Sequence, residues 1–261
     1  MLDLVPHGAL GLGLALVVGL VLGLLGGGGS ILALPIFLYV YAVPTKPAVA
    51  MSLAVVAISA AVGFLGHWRQ GTVDLRVALP FGGLAMVGAF VTARLAHAVP
   101  AGVQLAMFAA FAMTAAVLML RDSLRTPADS AAVNRAAARM SPWLAAQALG
   151  VGILTSLIGA GGGFVIVPAL VLLARVPVRV AVGSSLLIIT MNAASGFLGY
   201  LGQVPIDWPL VGAFTGVAAV GALVGARLVP HVPQRRIKQG FAVMILVLGS
   251  LLVARNLGLL G

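Results

Sequence analysis

Two stretches carry residue types and spacing suited to holding a ligand. They are Gly26-Gly27-Gly28-Gly29-Ser30 and Gly159-Ala160-Gly161-Gly162-Gly163. Each interrupts an apolar run, and a proline follows five residues past each end, at Pro35 and Pro168. A glycine run breaks a helix and frees backbone N–H and C=O groups, which in hydrocarbon must find other partners. It also lets a ligand approach the backbone and permits the left-handed conformations of an anion nest. The half-helix after each run aims its free N–H groups and the positive end of its dipole at one spot. This pattern predicts a pocket for a small oxyanion, lined by Gly27, Gly28, Gly29 and Ser30 from one stretch and by Gly161, Gly162 and Gly163 from the other. Each helix terminus contributes about 0.3–2 kcal/mol toward a charge. Close helix packing is the competing use of such glycines. Their run length, the following prolines and the duplication favour a ligand.

The rest of the composition says what positions these stretches. Of 261 residues, 62% are hydrophobic and 8% charged, and the mean hydropathy is +1.18. Soluble domains carry about 25% charged residues, so the expected fold class is an all-α polytopic membrane protein. The five acids are all Asp, at positions 3, 74, 122, 129 and 207. None is central in an apolar run, which argues against a cation substrate and against carboxylate-based catalysis. With no Cys, no Glu and four scattered His, no metal site, cofactor or enzymatic constellation is expected. The net charge of +10 sits in short loops between apolar runs, as the positive-inside rule expects. Nucleic acid is therefore not an expected partner; the lipid bilayer is, and a homo-oligomer is compatible with the sequence. Only Asp3 and His7 precede the first apolar run, so that run reads as a retained membrane segment.

The chain contains an internal repeat. With an offset of 133, residues 19–100 align on 152–233, and about 32 of the 82 positions are identical. Residues 1–121 read as a first membrane repeat, 122–141 as a cytoplasmic linker loop with a short amphipathic helix near 128–140, and 142–261 as a second repeat. Transporters are commonly built this way, with the substrate at the repeat interface. If residues 8–42 cross the membrane once, the fifteen Lys and Arg split seven to eight between the two sides, which is no bias. If the chain instead turns back at the glycines, twelve fall on one side, and only Lys46, Arg94 and Arg255 on the other. That bias selects two inverted-topology repeats, each a glycine-broken helical hairpin followed by three transmembrane helices. It places both termini outside and the 122–141 loop in the cytoplasm of a cell (inner) membrane protein. The second hairpin arms, residues 30–42 and 164–174, span roughly 16–20 Å, short of the ~30 Å core. The two tips are therefore expected near the midplane.

Further polar residues follow each hairpin. Ser52 and Ser59, seven apart and on one helix face, match Ser185 and Asn192. Single Ser and Thr residues commonly bond their own helix carbonyls, whereas a membrane-buried amide needs a partner; these four complete the expected pocket. Arg94 and Arg227 occupy matched contexts; they are gate or entry candidates that would attract anions, with snorkelling or binding of helix C-terminal carbonyls as the favoured plainer reading. His67 and Tyr200 are repeat mates expected to close the vestibules. Asp74 and Asp207 are expected to cap the helices that follow. Trp68, Trp143, Trp208, Tyr39 and Tyr41 read as interface anchors.

Taken together, the two glycine stretches with Pro35 and Pro168, the helix starts Ala48-Val49-Ala50-Met51-Ser52 and Ala181-Val182-Gly183-Ser184-Ser185, and the elements ending Ala93-Arg94-Leu95 and Ala226-Arg227-Leu228 resemble the TauE/SafE family of sulfite exporters. The resemblance covers nearly the whole chain outside 121–141. It implies an integral inner-membrane permease for anions, in particular sulfite, thiosulfate and organosulfonates. The first half departs from the second at Ser30 against Gly163 and at Met51 against Ser184.

The expected function is a secondary transporter, in the exporting sense, of a small sulfur-containing anion by alternating access. The alternatives are a permease for another anion, a carboxylate or a phosphate-bearing lipid head group, and a non-transporting membrane assembly partner. The glycine runs generate a direct test. Gly28→Val and Gly161→Val are each expected to abolish anion flux in proteoliposomes while the protein still inserts; full flux in both would assign the glycines to packing alone.

Overall fold

The computed structural model describes residues 5–27, 29–107, 110, 142–158, 166–167, 170 and 178–229. Seven α-helices are defined among them: α1 Val5–Leu25, α2 Ser30–Tyr39, α3 Thr45–Arg69, α4 Leu75–Leu95, α5 Pro142–Ile158, α6 Val178–Tyr200 and α7 Trp208–Leu228. The expected 122–141 loop with its helix near 128–140, the stretch Gly161–Gly163 and the segment after 229 lie outside the described residues. Five helices, α1, α3, α4, α6 and α7, are long and apolar enough to cross a membrane. At 1.5 Å per residue, the 21 residues of α4 reach about 32 Å, the thickness of the hydrocarbon core. The protein is an all-α, multi-pass membrane protein.

Local chemistry sets the helix ends. Asp74 Oδ1 accepts from the Arg76 N–H at 2.9 Å, and Asp207 Oδ1 from the Leu210 N–H at 3.0 Å; these are N-caps of α4 and α7, at the two expected positions. Pro44 precedes α3 with an extended ψ of 152°, and Pro47 falls in its first turn, where a missing N–H costs nothing. Trp68 and Trp208 are exposed, at 47% and 56%. Tyr41 instead packs inward, its ring 6.1 Å from that of Phe37 and 6.4 Å from that of Phe214.

Backbone contacts show how the chain is arranged. A Cβ on Gly29 would lie 2.1 Å from Val18 O, and one on Gly11 would meet the Tyr41 ring, so α2 returns alongside α1. Gly221 abuts Leu16 O and Leu20 N, and Gly225 abuts Leu20 O and Leu24 N. One turn forward on α7 matches one turn forward on α1, so these two run in the same direction. Gly63 faces Leu186 while Gly196 faces Leu53, so α3 and α6 cross antiparallel. Burial follows: 72% of the apolar stretch of α3 and 67% of that of α6 are buried, against 33%, 39% and 44% for α1, α4 and α7. α3 and α6 form the centre; the other three turn Leu10, Val17, Val87, Val91, Val220 and Val224 outward, as lipid-facing helices do.

Contacts in one half recur in the other at positions 133 apart. A Cβ on Gly19 would lie 1.8 Å from Ala218 O, and one on Gly152 would lie 2.1 Å from Ala85 O. Gly221 on Leu16 corresponds to Gly88 on Leu149, and Gly66 on Ala226 to Gly199 on Ala93. The first helix of each half therefore packs on the last described helix of the other. No side chain fits in these seams, and overpacking costs about 1–3 kcal/mol or more. Gly19→Leu and Gly152→Leu are expected to lower the melting temperature or abolish monodisperse protein in detergent, whereas Gly13→Leu, at a position with open space, should leave both unchanged.

Candidate functional site

The first glycine stretch is a tight turn held by backbone and hydroxyl bonds. Gly26 has φ +68°, and its N–H donates to Leu22 O at 2.9 Å. It closes α1 in the left-handed conformation that glycine adopts without steric cost. Ser30 is fully buried; its Oγ donates to Gly27 O at 2.7 Å, and the Leu32 N–H donates to Gly29 O at 3.1 Å. Gly29 stands at the N-cap of α2 without a side-chain cap. Gly28 lies outside the described residues.

This turn is seated on α6, the central helix of the second half. Ser185 Oγ shares its proton between Val182 O, at 2.8 Å, and Gly26 O. A Cβ on Gly26 would lie 2.6 Å from both Ser185 Oγ and Val182 O. Beside it, Ser184 Oγ accepts from the Asp74 N–H at 2.8 Å, and Gly183 lies against Thr72 O. The turn joining α3 to α4 is thereby tied to the same end of α6. Ser52, the repeat mate of Ser185, donates to Val49 O at 2.8 Å, the position equivalent to Val182. Both serines thus make the expected back-bond to their own helix, and Ser185 also reaches across to the glycine turn.

Ser59 and Asn192 are fully buried farther along α3 and α6. Seven residues, about 10 Å of helix rise, separate Asn192 from Ser185. Asn192 Nδ2 donates to Thr155 Oγ1 at 2.8 Å, while Asn192 Oδ1 and Ser59 Oγ have no hydrogen-bond partner among the described residues. Thr155 and Ser156 are pocket neighbours that sequence reasoning did not single out. Their signal was present: they are adjacent polar residues in an apolar helix, where the first half has Leu22 and Gly23. Ser156 Oγ donates to Ala89 O at 2.7 Å; its counterpart Gly23 packs directly on Ala222 O. Ser195 likewise crosses to α4, donating to Met86 O at 2.8 Å.

His67 and Tyr200, expected to close the vestibules, are both 1% exposed and bind helix ends. His67 Nε2 lies 3.0 Å from Gly23 O, and Tyr200 Oη donates to Ser156 O at 2.9 Å. Gly23 and Ser156 are repeat mates, so the two rings cap equivalent carbonyls in the last turns of α1 and α5. Arg94 and Arg227 are exposed near the ends of α4 and α7, and the Arg94 guanidinium sits 5.5 Å from the Phe90 ring centroid. Among the described residues, no group of three His, Cys, Asp or Glu could hold a metal. Neutral hydroxyls, an amide, two aromatic caps and backbone groups make up this interior. It can solvate an ion with dipoles rather than with counter-charges.

Apolar crossing helices around a polar interior make this a multi-pass membrane protein. The family model described as Sulfite exporter TauE/SafE matches residues 11–252, and the chain belongs to that family. A "Probable membrane transporter protein" of Xylella fastidiosa (strain 9a5c) is 36% identical over 217 residues, covering 80% of this chain and 82% of its own. The "Probable membrane transporter protein YdhB" of Bacillus subtilis (strain 168) is 28% identical over 237 residues, covering 90% and 96%. The "Probable membrane transporter protein MJ0441" of Methanocaldococcus jannaschii is 27% identical over 202 residues, 72% of each chain. No solved structure matches.

The contact between Ser185 and the Gly26 carbonyl is open to test. An unpaired buried carbonyl costs about 1–3 kcal/mol. Ser185→Ala is expected to lower the melting temperature correspondingly, whereas Thr190→Ala, which removes only a bond to Leu186 O of its own helix, should lower it less.

Proposed function

We propose that the chain is a secondary transporter of a small sulfur-containing anion such as sulfite, thiosulfate or an organosulfonate, working in the exporting direction from a cell (inner) membrane. The two halves, 1–121 and 142–261 joined by a cytoplasmic 122–141 linker, act as inverted repeats with both termini outside. Each begins with a glycine-broken hairpin and rocks against the other in alternating access. The return of α2 along α1, the antiparallel crossing of α3 and α6 and the recurrence of contacts 133 residues apart support this arrangement. Gly27, Gly28, Gly29 and Ser30, with Gly161, Gly162 and Gly163, supply N–H groups to the anion. Ser52, Ser185, Ser59 and Asn192 complete the pocket, and Arg94 and Arg227 draw anions to its two mouths.

One observation carries the reading: the glycine turn of the first half is seated on Ser185 of the second half's central helix, beside an interior with no carboxylate among the described residues. A turn placed there changes its surroundings whenever the halves move against one another. An oxyanion in that interior meets hydroxyl, amide and N–H dipoles without like-charge repulsion.

Flux in proteoliposomes tests the proposal. Sulfite, thiosulfate or a sulfonate is expected to cross with saturable kinetics, and each should compete with the others. Carboxylates and phosphate-bearing head groups should compete poorly. No flux of any sulfur anion through folded, inserted protein would overturn the reading.

A further inference from the structure

Buried between α1, α3 and the α3–α4 turn is a histidine whose hydrogen bonds accept either charge state. His67 Nε2 lies 3.0 Å from Gly23 O. A carbonyl only accepts, so Nε2 carries a proton whatever the charge of the ring. His67 Nδ1 lies 3.0 Å from Thr72 Oγ1, and that hydroxyl is also 3.1 Å from His67 O. With the ring neutral, the Thr72 hydroxyl donates to Nδ1. With a proton added at Nδ1, the new N–H donates to Thr72 Oγ1, and the hydroxyl proton turns to His67 O. No hydrogen bond is lost in either state, and one proton has been gained from solvent.

We propose that His67 is the proton-binding group of the carrier, loading and unloading through Thr72 as the anion moves. The proposal rests on the anion-carrier reading above and names its coupling ion. Four observations support it. Thr72 is half-buried in the turn between two spans, so Nδ1 bonds the turn while Nε2 bonds a carbonyl of a span. Gly23 O is among the last carbonyls of α1, the negative end of the helix dipole, where an imidazolium is favoured. The bond grips α1 three residues before Gly26, while the carbonyl of Thr72 rests on Gly183 of α6; a charge on the ring therefore acts on both pieces that bracket the glycine turn. Finally, the repeat mate Tyr200 makes the same bond to Ser156 O with a group that stays neutral over the physiological range. Among the described residues, the basic groups at this end of the surrounding elements are Arg69 on α3, Arg76 on α4, Arg179 on α6 and Arg227 on α7, all exposed, while Lys46 and Arg94 lie at the far ends of α3 and α4. Asp74 is the one acid nearby among the described residues, and its carboxylate accepts from the Arg76 N–H. The facing parts of α1 and α6 present Gly23, Gly183, Ser184 and Ser185, none of which titrates.

The test uses the full chain in proteoliposomes, with thiosulfate and a sulfonate as probes because both stay fully ionised and carry no proton themselves. Anion flux is followed together with internal pH from a trapped dye. The wild type is expected to move protons with the anion, with flux changing about tenfold between pH 5 and 8. His67→Tyr keeps a donor for Gly23 O, as Tyr200 does for Ser156 O. It should retain downhill anion flux while losing both the proton movement and the pH dependence. His67→Gln serves the same comparison should the tyrosine variant fail to insert. Proton movement that persists in these variants, or wild-type flux without proton movement, overturns this proposal and leaves the carrier reading intact. No flux of either probe in the wild type overturns both.

Discussion

Everything in this molecule depends on backbone meeting backbone at two glycine seams. In lipid there is no hydrophobic force between helices, so association rests on close van der Waals packing and on polar contacts between chains. At Gly19 on Ala218 and at Gly152 on Ala85 the helices approach until no Cβ could fit. These seams join the first helix of each half to the last described helix of the other. The first helix of each half thus packs against the other half, so the halves are interlocked rather than laid side by side. That interlock brings the Gly26 turn against α6 of the opposite half.

Among the described residues, the interior built around this interlock is polar and holds no Asp, Lys or Arg. Its hydroxyl and amide groups mostly bond helix carbonyls or one another, as buried polar groups must. Among the described residues, two of the unpartnered atoms, Ser59 Oγ and Asn192 Oδ1, lie on the two central helices at repeat-equivalent positions. An environment of dipoles lets a desolvated anion bind and leave, whereas a fixed counter-charge would hold it. The proposed transport thus follows from what the interior withholds as much as from what it offers.

The halves match in contact geometry and differ in chemistry. Leu22 and Gly23 answer to Thr155 and Ser156, Ser59 to Asn192 and His67 to Tyr200. The second half holds its α5–α4 seam partly with the Ser156 hydroxyl, while the first relies on bare contact at Gly23. Duplication supplies one geometry twice; divergence at these few positions gives the halves different chemistry, with His67 buried where the second half has Tyr200.

The amino-acid sequence alone determined the membrane class, the repeat and its offset, and the caps at Asp74 and Asp207. These are legible because hydropathy, self-similarity and capping are local or translational properties of a string. The break at Gly26 was legible too, since only glycine takes its left-handed backbone without cost. Tertiary structure decided which helices meet. A glycine seam leaves no side-chain pattern naming its partner, and Gly19 gives no hint of Ala218. It also decided where a hydroxyl reaches beyond its own helix: nothing in the sequence around Ser185 names Gly26 O as its second acceptor. The destinations of His67 and Tyr200 belong to this second class. A ring that caps another helix's carbonyl is placed by the crossing of two elements some forty residues apart, and no periodicity within either one encodes that crossing.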